Sequence, residues 1–516
     1  MKYKRLPLLL LVMALLITLP SCGEEEPQPT PTQTPAPTAV PTQAPAPVEF
    51  VLPCDPTGSF HPITGNSRVN LLLAPLLYRG LFALDRNFQA QNDLCESYTV
   101  SEDGLTWTFV LAETTFSDGS DLTAAEVIAS LNLARQSSRY QSRLRDVTRV
   151  GIGEGGTVTV TLSRPNGALP ALLDVPVVKE DRDGIAPLGT GPYVLTRGEE
   201  SEALCLTARE GETVPRETVS LRSVGTSDDL IYAFDAGEIS LVDVDLNGSN
   251  TLGFSGRMET TDYPTTGLVY LAFNMKSGLC REEALRRAIS LCLDRVSLVE
   301  RYLGNHASAS ALPVHPRSGD YDREAAASLD QDLEAAQALL AGLGWSPNEE
   351  GTLERRRTVL SLKLIVNQEN TAKAALSEAI ADSLRELGIT VTVDKLPWED
   401  FTAALNRGDF DIYLGETVLT ADFDPEPLIH SKGTMNYGGC DSEELDALLD
   451  AWRAAAGEER KTAAAALWAR LIQEAPITAI CFKNGSLLTQ WGQVSGMTPT
   501  QRDLFYGLEN WRLSGT

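Results

Sequence analysis

The sequence predicts a mixed α/β fold, and two patterns support that prediction. Residues 105–111 alternate apolar with polar side chains, which is typical of a strand with one buried face. Between residues 376 and 387, apolar residues recur three or four positions apart, as on one face of an amphipathic helix. Gly388 then ends the helix, and residues 389–393 alternate as a strand. Helix, glycine stop and strand in succession are typical of an α/β layer.

Other segments of the chain repeat these patterns. Residues 158–162 alternate as a further strand. The apolar spacing between residues 285 and 303 predicts one long amphipathic helix, and that between 333 and 343 predicts another, ended by the glycine that follows. Thr123, with Glu126 three residues later, predicts a helix N-terminus closed by a capping box.

The composition limits which classes of protein are compatible with this chain. Its 516 residues are 43% apolar, which excludes collagen, coiled coil and wholesale disorder, and the length predicts two or three core-bearing units. A formal net charge of −27 repels phosphate backbones, so we expect no nucleic-acid partner. Eight cysteines are too few for a disulfide scaffold, and four scattered histidines give little support for a metal site.

The N-terminus predicts an export signal over residues 1–21. Three basic residues between positions 2 and 5 precede an apolar stretch of 14 residues, shorter than the roughly 18 that span a bilayer. Removing this segment brings the net charge of the mature chain near −30. The sequence Leu-Pro-Ser-Cys-Gly at 19–23 resembles the bacterial lipoprotein cleavage box, which implies cleavage before Cys22 and lipidation of its sulfur. Ordinary signal-peptidase cleavage nearby is the alternative, and either one places the protein outside the cytoplasm.

Residues 22–48 predict a tether behind the lipidated cysteine. The stretch 27–47 alternates proline with threonine, glutamine and alanine and holds eight prolines in 21 residues. Such a segment cannot bury a core, and at about 3 Å per residue it would extend about 60 Å. The alternative is a generic disordered tail, but the position directly after Cys22 favours a membrane tether.

Motifs that would indicate an enzyme are mostly missing from the sequence. Residues 151–156 fit a GxGxxG string, but a strand follows it where a dinucleotide site needs a helix. A hairpin turn between two strands is therefore the favoured interpretation. The chain contains no GxSxG, HExxH, GxxxxGK[ST] or CxxC string. The cysteines beyond Cys22 are interpreted as small core residues or as a pair that the sequence does not identify.

An ordered set of short motifs resembles the extracellular solute-binding proteins of family 5, the peptide- and nickel-binding lipoproteins of ABC importers. The set runs from residue 49 nearly to the C-terminus. Its members are residues 76–82, 101–109, 116–119, 122–127, 189–193, 270–274, 286–289, 294–295, 387–391, 398–401, 408–412, 424–425, 436–437 and 446–449.

The resemblance implies an α/β, two-lobed periplasmic-binding-protein-like (type II) fold with an extra inserted domain and two hinge crossovers. We map lobe I to residues 49–86, 188–264 and 488–516, the inserted domain to 87–187, and lobe II to 265–487. The family closes its lobes around a solute and then docks on a membrane permease, so the expected chemistry is reversible binding and not catalysis.

The resemblance also assigns candidate ligand-binding residues. Peptide binders of the family hold the ligand's N-terminus with an aspartate in the segment that here covers residues 415–425, and this assigns the ammonium to Asp422. A carboxylate is needed there because an ammonium taken from water loses much of its hydration. Asp424 is either a second ligand residue or one that fixes the turn before Pro425.

Three further residues complete the candidate site. Trp398 stands where the family often has a cleft-lining aromatic, whose apolar face would cover side chains of any sequence; the alternative is packing under lobe II. Asn274 and Asn436 either offer amides to a bound backbone or cap loops.

The predicted function is capture of a small solute, above all a peptide, for an ABC importer permease. The same fold could instead bind an oligosaccharide or a metal chelate. A surface hydrolase is the alternative from another class, supported only by the many carboxylates, which are usually solvated. We expect a monomer, without cofactor or resident metal, held at the membrane by its N-terminal lipid.

Overall fold

A computed structural model describes residues 49–181, 184–198, 203–249 and 251–514. The predicted signal peptide, the tether and Cys22 lie outside these residues. The described chain is mixed α/β, as predicted, with several separate sheets. Among the helices of the described residues, none is long and apolar enough to cross a membrane.

The first sheet has four strands and contains one parallel pair. Its order is β1-β10-β9-β8, with β1 parallel to β10 and the other neighbours antiparallel. The strands are β1 (Val51–Cys54), β8 (Tyr193–Arg197), β9 (Leu204–Ala208) and β10 (Thr218–Ser223).

The second sheet is antiparallel, in the order β4-β5-β7-β6. Its strands are β4 (Cys95–Val100), β5 (Thr106–Leu111), β6 (Val147–Ile152) and β7 (Val158–Leu162), packed by α3 (Ala124–Ala134). Both predicted strands are confirmed, and so is the capping box, because Thr123 and Glu126 bond each other's backbone. The GxGxxG string forms the β6–β7 hairpin turn, where Gly155 and Gly156 have φ of 68° and 83°.

The central sheet is built around two long antiparallel strands, β12 and β20. Its order is β11-β20-β12-β19-β17-β18, with β13 also paired to β20. Its strands are β11 (Leu241–Val244), β12 (Met258–Phe273), β13 (Ala307–Ala309), β17 (Ser361–Asn367), β18 (Thr390–Leu396), β19 (Ile412–Val418) and β20 (Ile477–Gln490). The β12–β20 register shifts between Pro264 and Leu268.

Three small sheets complete the strands of the described chain. They are formed by β2 (Phe82–Leu84) with β3 (Ala90–Asn92), by β14 (Ser346–Pro347), β15 (Leu353–Arg355) and β16 (Thr358–Val359), and by β21 (Val494–Ser495) with β22 (Arg512–Leu513).

The remaining helices cover the sheets. They are α1 (Arg68–Leu72), α2 (Ala74–Leu77), α4 (Ser227–Asp235), α5 (Glu283–Leu291), α6 (Arg295–Tyr302), α7 (Arg323–Ala327), α8 (Leu333–Gly342), α9 (Thr371–Glu386), α10 (Trp398–Arg407), α11 (Glu426–Ile429), α12 (Glu443–Ala454) and α13 (Gly457–Glu474). As predicted, α8 and α9 end at glycines in the left-handed conformation, since Gly344 and Gly388 both have φ of 85°.

The prediction of a single helix over residues 285–303 is wrong. The structure breaks it into α5 and α6, because Asp294 caps a new helix by accepting a hydrogen bond from the backbone N–H of Ser297 at 3.0 Å. Val296, which the pattern placed on the buried face, is exposed.

Apolar side chains fill both faces of the central sheet. Along β12, Val269, Leu271 and Phe273 enter one core, while Leu268 and Tyr270 enter the core on the opposite face. A further core joins the first and second sheets. The seven described cysteines are free thiols, buried except for the half-buried Cys205, which confirms their interpretation as small core residues.

Candidate ligand-binding site

A large cavity lies at the carboxyl ends of the two parallel strands of the first sheet. Because β1 and β10 are parallel neighbours, both end at the same edge, where Asp55 and Thr226 follow them. In open α/β sheets, ligands bind outside such carboxyl ends. A cavity of about 820 Å³, here called the large cavity, lies there, and its lining includes Asp55, Thr226, Asp243 of β11 and Tyr263 of β12.

The central sheet presents exposed apolar side chains at its own carboxyl edge. Strands β18 and β19 both run parallel to β17, so all three end at one edge. Trp398 follows β18 and is 57% exposed, and Val418 at the end of β19 is 67% exposed. Each of these side chains is thus open to solvent at the carboxyl edge of the sheet, where ligands bind in open α/β sheets.

Trp398 is held at the start of α10 by its backbone. Its N–H donates to Oε1 of Glu369 at 2.9 Å, and this bond lowers the pKa of the Glu369 carboxyl. The indole ring lies 6.0 Å from the ring of Phe401, centroid to centroid, and remains open to solvent. The structure therefore places Trp398 at the surface and not under the sheet.

The segment after β19, residues 419–425, here called the Asp422 loop, holds a buried carboxylate with a free acceptor. Asp422 is only 7% exposed. Its Oδ2 accepts a hydrogen bond from Nδ2 of Asn166 at 3.1 Å, whereas its Oδ1 is buried without a partner in the described chain. Phe423 next to it has a φ of 57°, a costly conformation for a residue with a Cβ. A buried acceptor left open in this way favours a bound donor.

The carboxylate of Asp424 forms ion pairs with arginine side chains. Its carboxylate pairs with Arg453 and with Arg145, at 3.1 Å and 2.9 Å from Oδ2. Glu426 pairs with the same two arginines and with Arg164. Although burial opposes it, the hydrogen bond from Arg164 and the charges of Arg453 and Arg145 lower the pKa of Glu426. These contacts are those of a structural ion-pair network.

The amides of Asn274 and Asn436 are used by the chain itself. Nδ2 of Asn274 donates to the carbonyls of Gly408 and Phe410, and its Oδ1 accepts from the backbone N–H groups of Lys276 and Ser277. These are the contacts of a loop cap.

Asn436 forms a similar cap. Its Nδ2 donates to the carbonyls of His430 and Cys440, while its Oδ1 accepts from the N–H of Cys440. Of the five candidate residues, Asp422 keeps a free hydrogen-bond acceptor and Trp398 keeps an exposed ring, and both follow strands that end at the carboxyl edge of the central sheet. The other three candidates are engaged by residues of the described chain.

The described residues contain no group of three or more His, Cys, Asp or Glu arranged to hold a metal ion. His315 is buried among the rings of Phe88, Phe423 and Phe482, and burial lowers its pKa to about 3. It is therefore a neutral core residue.

Sequence reasoning missed the partners that shape the Asp422 loop. Asn166 lies 256 positions from Asp422, and no local pattern links the two. Arg453 did carry a usable signal, because it follows the buried Leu449 and Trp452 on α12 and is itself 2% exposed. A charged residue on the buried face of a helix needs a buried partner.

The comparisons with known proteins agree with this architecture. Residues 89–438 match the profile described as bacterial extracellular solute-binding proteins, family 5 Middle. The oligopeptide-binding protein AppA of Bacillus subtilis is 22% identical over 471 residues, which are 85% of this chain and 86% of AppA. The glutathione-binding protein GsiB of Escherichia coli is 26% identical over 274 residues, which are 49% of this chain and 54% of GsiB.

Solved structures show the same fold. AppA of Bacillus subtilis with a nonapeptide has a TM-score of 0.58 at 20% identity, covering 90% of this chain and 99% of AppA. NikZ of Campylobacter jejuni with Ni(L-His) has a TM-score of 0.61 at 18% identity, covering 91% of this chain and 100% of NikZ. The chain therefore has the predicted two-lobed binding-protein fold with an inserted domain and two crossover strands. Because the family profile matches well over half of its length, the protein belongs to family 5 of the bacterial extracellular solute-binding proteins.

Proposed function

We propose that this protein captures a peptide outside the cytoplasm, by closing two lobes around it, and delivers it to the permease of an ABC importer. The single observation that carries the proposal is the buried Asp422 carboxylate, whose Oδ1 lacks a partner in the described chain. Family membership supports solute binding, and the names of AppA and GsiB support a peptide-like solute.

The chemistry of the site suits a peptide with a free N-terminus. An ammonium buried against Asp422 would supply the missing donor and compensate the charge of the carboxylate. Trp398 would cover side chains without distinguishing them, because an aromatic face makes few directional demands. Specificity would then lie in the backbone and termini of the peptide.

Closure needs two bodies joined by strands that can bend. The proposed bodies are lobe I (49–86, 188–264 and 488–516) with its inserted domain (87–187), and lobe II (265–487). We assign the crossovers to β12 and β20. Their irregular register between Pro264 and Leu268 supports a bending point there, because backbone pairing is interrupted.

We further propose that a lipid on Cys22 tethers the protein to the outer face of the membrane. Its support is the lipoprotein-like box and the proline-rich spacer in the sequence. We expect the Cys22→Ala variant to leave the membrane fraction, and persistence there would contradict the tether.

The peptide proposal is tested with one variant of the Asp422 loop and one surface control. Isothermal titration compares a free tripeptide with its N-acetylated form in the wild type, in Asp422→Asn and in Asp441→Asn, which changes an exposed aspartate. We expect the wild type and Asp441→Asn to prefer the free amine at least about tenfold, since a buried charge pair contributes about 2–5 kcal/mol, and Asp422→Asn to lose that preference.

The opposite results would overturn the proposal. Equal binding of the two tripeptides to the wild type would show that the protein has no site for the ammonium group of the peptide. If no dipeptide to pentapeptide raises the melting temperature while an oligosaccharide does, the solute is a sugar.

A further inference from the structure

Two phenylalanines with unusual backbone conformations contact each other beside the carboxylate of Asp422. Phe88 has a φ of 63° and Phe423 a φ of 57°, in the left-handed region that a residue with a Cβ rarely adopts. Their ring centroids lie 4.8 Å apart and the ring planes cross at 82°, which is an edge-to-face contact. Because Phe423 directly follows Asp422, this contact acts on the backbone of the candidate ligand residue.

Phe88 lies in the loop of the β2–β3 hairpin, at a position that favours glycine. The N–H of Asp85 donates to the carbonyl of Gln89 at 3.1 Å, and the N–H of Phe88 donates to the carbonyl of Asp85 at 3.0 Å. In three-residue hairpin loops of this kind the last residue is left-handed and is often glycine, which has no Cβ. The geometry of the turn therefore does not explain a phenylalanine at this position.

The ring of Phe88 is buried in a core formed by residues of the proposed lobe II. Phe88 is 8% exposed, and the other buried members of this core come from residues 268–482. Its ring centroid lies 5.2 Å from that of His315. The free energy gained by burying an aromatic side chain offsets the cost of its left-handed backbone. Packing of the ring, and not the turn, therefore accounts for Phe88.

Phe423 is held between two aromatic rings. The ring of Phe88 contacts it from the hairpin, and the ring of Phe482 on β20 lies 5.5 Å away, centroid to centroid, with the planes at 88°. A strained backbone conformation persists only where the surrounding packing determines it. Without the ring of Phe88, the backbone of Phe423 would be free to relax and to reorient the neighbouring Asp422.

The carboxylate of Asp422 is sensitive to such a change because few hydrogen bonds hold it. In the described chain its Oδ2 accepts from Nδ2 of Asn166 at 3.1 Å, and its Oδ1 accepts from no donor. The backbone carbonyl of Asp422 accepts from Nη2 of Arg460 at 3.4 Å, which is a long hydrogen bond. The backbone conformation of Phe423 therefore helps to set the position of the free Oδ1.

We propose that Phe88 is a positioning residue for solute binding: its ring holds Phe423 in the left-handed conformation and thereby orients the Asp422 carboxylate toward the solute. The inference rests on the proposed function, in which Asp422 receives the ammonium of a peptide. It gives the inserted domain, to which we assign Phe88, a part in binding without contact with the solute. A carboxylate that is already oriented binds more tightly, because its orientation need not be fixed on binding.

Hydrogen exchange without ligand tests whether Phe88 acts on the Asp422 loop. The amide of Phe423 donates to the carbonyl of Thr420 at 2.9 Å. Phe88→Gly suits the left-handed turn but lacks the ring, so we expect this amide to exchange at least about tenfold faster than in the wild type. Amides of residues 268–273 on β12, which contribute to the same core, should keep the wild-type rate. An unchanged rate at Phe423, or an equal acceleration in both segments, would make Phe88 an ordinary core residue and overturn the proposal.

Two further variants complete the exchange measurement. Arg357→Gly changes an exposed residue of the β15–β16 turn that has a φ of 66°, and it should leave the exchange of both segments unchanged. An acceleration at Phe423 in this control would overturn the proposal, because the effect would not be specific to Phe88. If Phe88→Gly does not fold, Phe88→Leu takes its place and should accelerate exchange at Phe423 by at least about threefold. Wild-type exchange in Phe88→Leu would overturn the proposal.

Isothermal titration then measures the effect on binding. Trialanine and its N-acetylated form are compared in the wild type, Phe88→Gly and Arg357→Gly, at a temperature where all three proteins are folded. We expect the wild type and Arg357→Gly to prefer the free amine at least about tenfold, and Phe88→Gly to prefer it less than about threefold. A full preference in Phe88→Gly would overturn the positioning role, because lower stability alone reduces the folded fraction and leaves the preference of the folded protein unchanged.

Failure of the peptide proposal is distinguishable from failure of this inference. If the wild type binds both forms equally or binds neither, the peptide proposal fails, while the exchange measurement, which uses no ligand, still decides whether Phe88 positions the Asp422 loop. If the wild type prefers the free amine but exchange at Phe423 is unchanged in Phe88→Gly, the peptide proposal stands and the role of Phe88 fails.

Discussion

Arg453 and Asp424 form a buried ion pair, in which Nη2 lies 3.1 Å from Oδ2 and the side chains are 2% and 6% exposed. The backbone carbonyl of Arg453 also accepts from the N–H of Gly167, next to Asn166, which donates to Asp422. One residue of α12 thus fixes the segments on both sides of the Asp422 carboxylate. Asp424 therefore acts on the site through Arg453, as a residue that positions its neighbour.

The first prediction concerns this pair. Arg453→Met removes a cation from between two carboxylates and should lower the free energy of unfolding by about 3 kcal/mol, because the buried Asp424 carboxylate keeps only Arg145 as an ion-pair partner. Urea denaturation measures the change. Arg407→Met, at an exposed position of α10, should change stability by about 0.5 kcal/mol or less.

A double variant shows whether the two residues interact. Arg453→Met combined with Asp424→Asn should cost less than the sum of the two single changes. Simple additivity would mean that the pair contributes no coupling energy.

The second prediction concerns pH. Burial raises the pKa of Asp503 from about 4 to about 7, so between these values the folded chain binds more protons than the unfolded one. The contribution of Asp503 to stability is therefore full at low pH and is lost as the pH rises toward 7. Asp503→Asn should raise the free energy of unfolding at pH 8 and leave it nearly unchanged at pH 4.

Urea denaturation from pH 4 to pH 8 measures both curves. Asp441→Asn, at an exposed position, serves as the control and should follow the wild type. Parallel curves for the wild type and Asp503→Asn would show that the pKa of Asp503 is not raised.

The third prediction concerns a close approach between β12 and β20. Gly485 of β20 faces Tyr263 of β12, and a Cβ at this position would collide with the tyrosine ring. Gly485→Ala should displace Tyr263, weaken its hydrogen bond to Asp243 and destabilise the fold by about 1–3 kcal/mol.

Because Tyr263 lines the large cavity, the same change should weaken solute binding. Gly342→Ala on α8, where no atom lies within 4 Å of the added Cβ, should be neutral or slightly stabilising. If Gly485→Ala has the same melting temperature as the wild type, the ring of Tyr263 does not pack on Gly485.

Local patterns were sufficient for much of the fold. The strand at 158–162, the helix ends at Gly344 and Gly388 and the capping box at Thr123 depend on neighbours within a few residues, so the sequence predicts them directly. The ordered motifs were likewise enough to indicate the family. The same reasoning failed at 285–303, where the apolar spacing continued across the break that Asp294 introduces.

The sequence by itself determined the mixed α/β class, the family and Asp422 as the leading candidate for the ligand. Only the tertiary structure decided that Asp424 is paired with Arg453 and that Asn274 and Asn436 are loop caps. The physical reason is that helices and turns follow from interactions over a few residues. Charge compensation in the interior instead depends on partners such as Asn166 and Asp422, 256 residues apart, that only folding brings together.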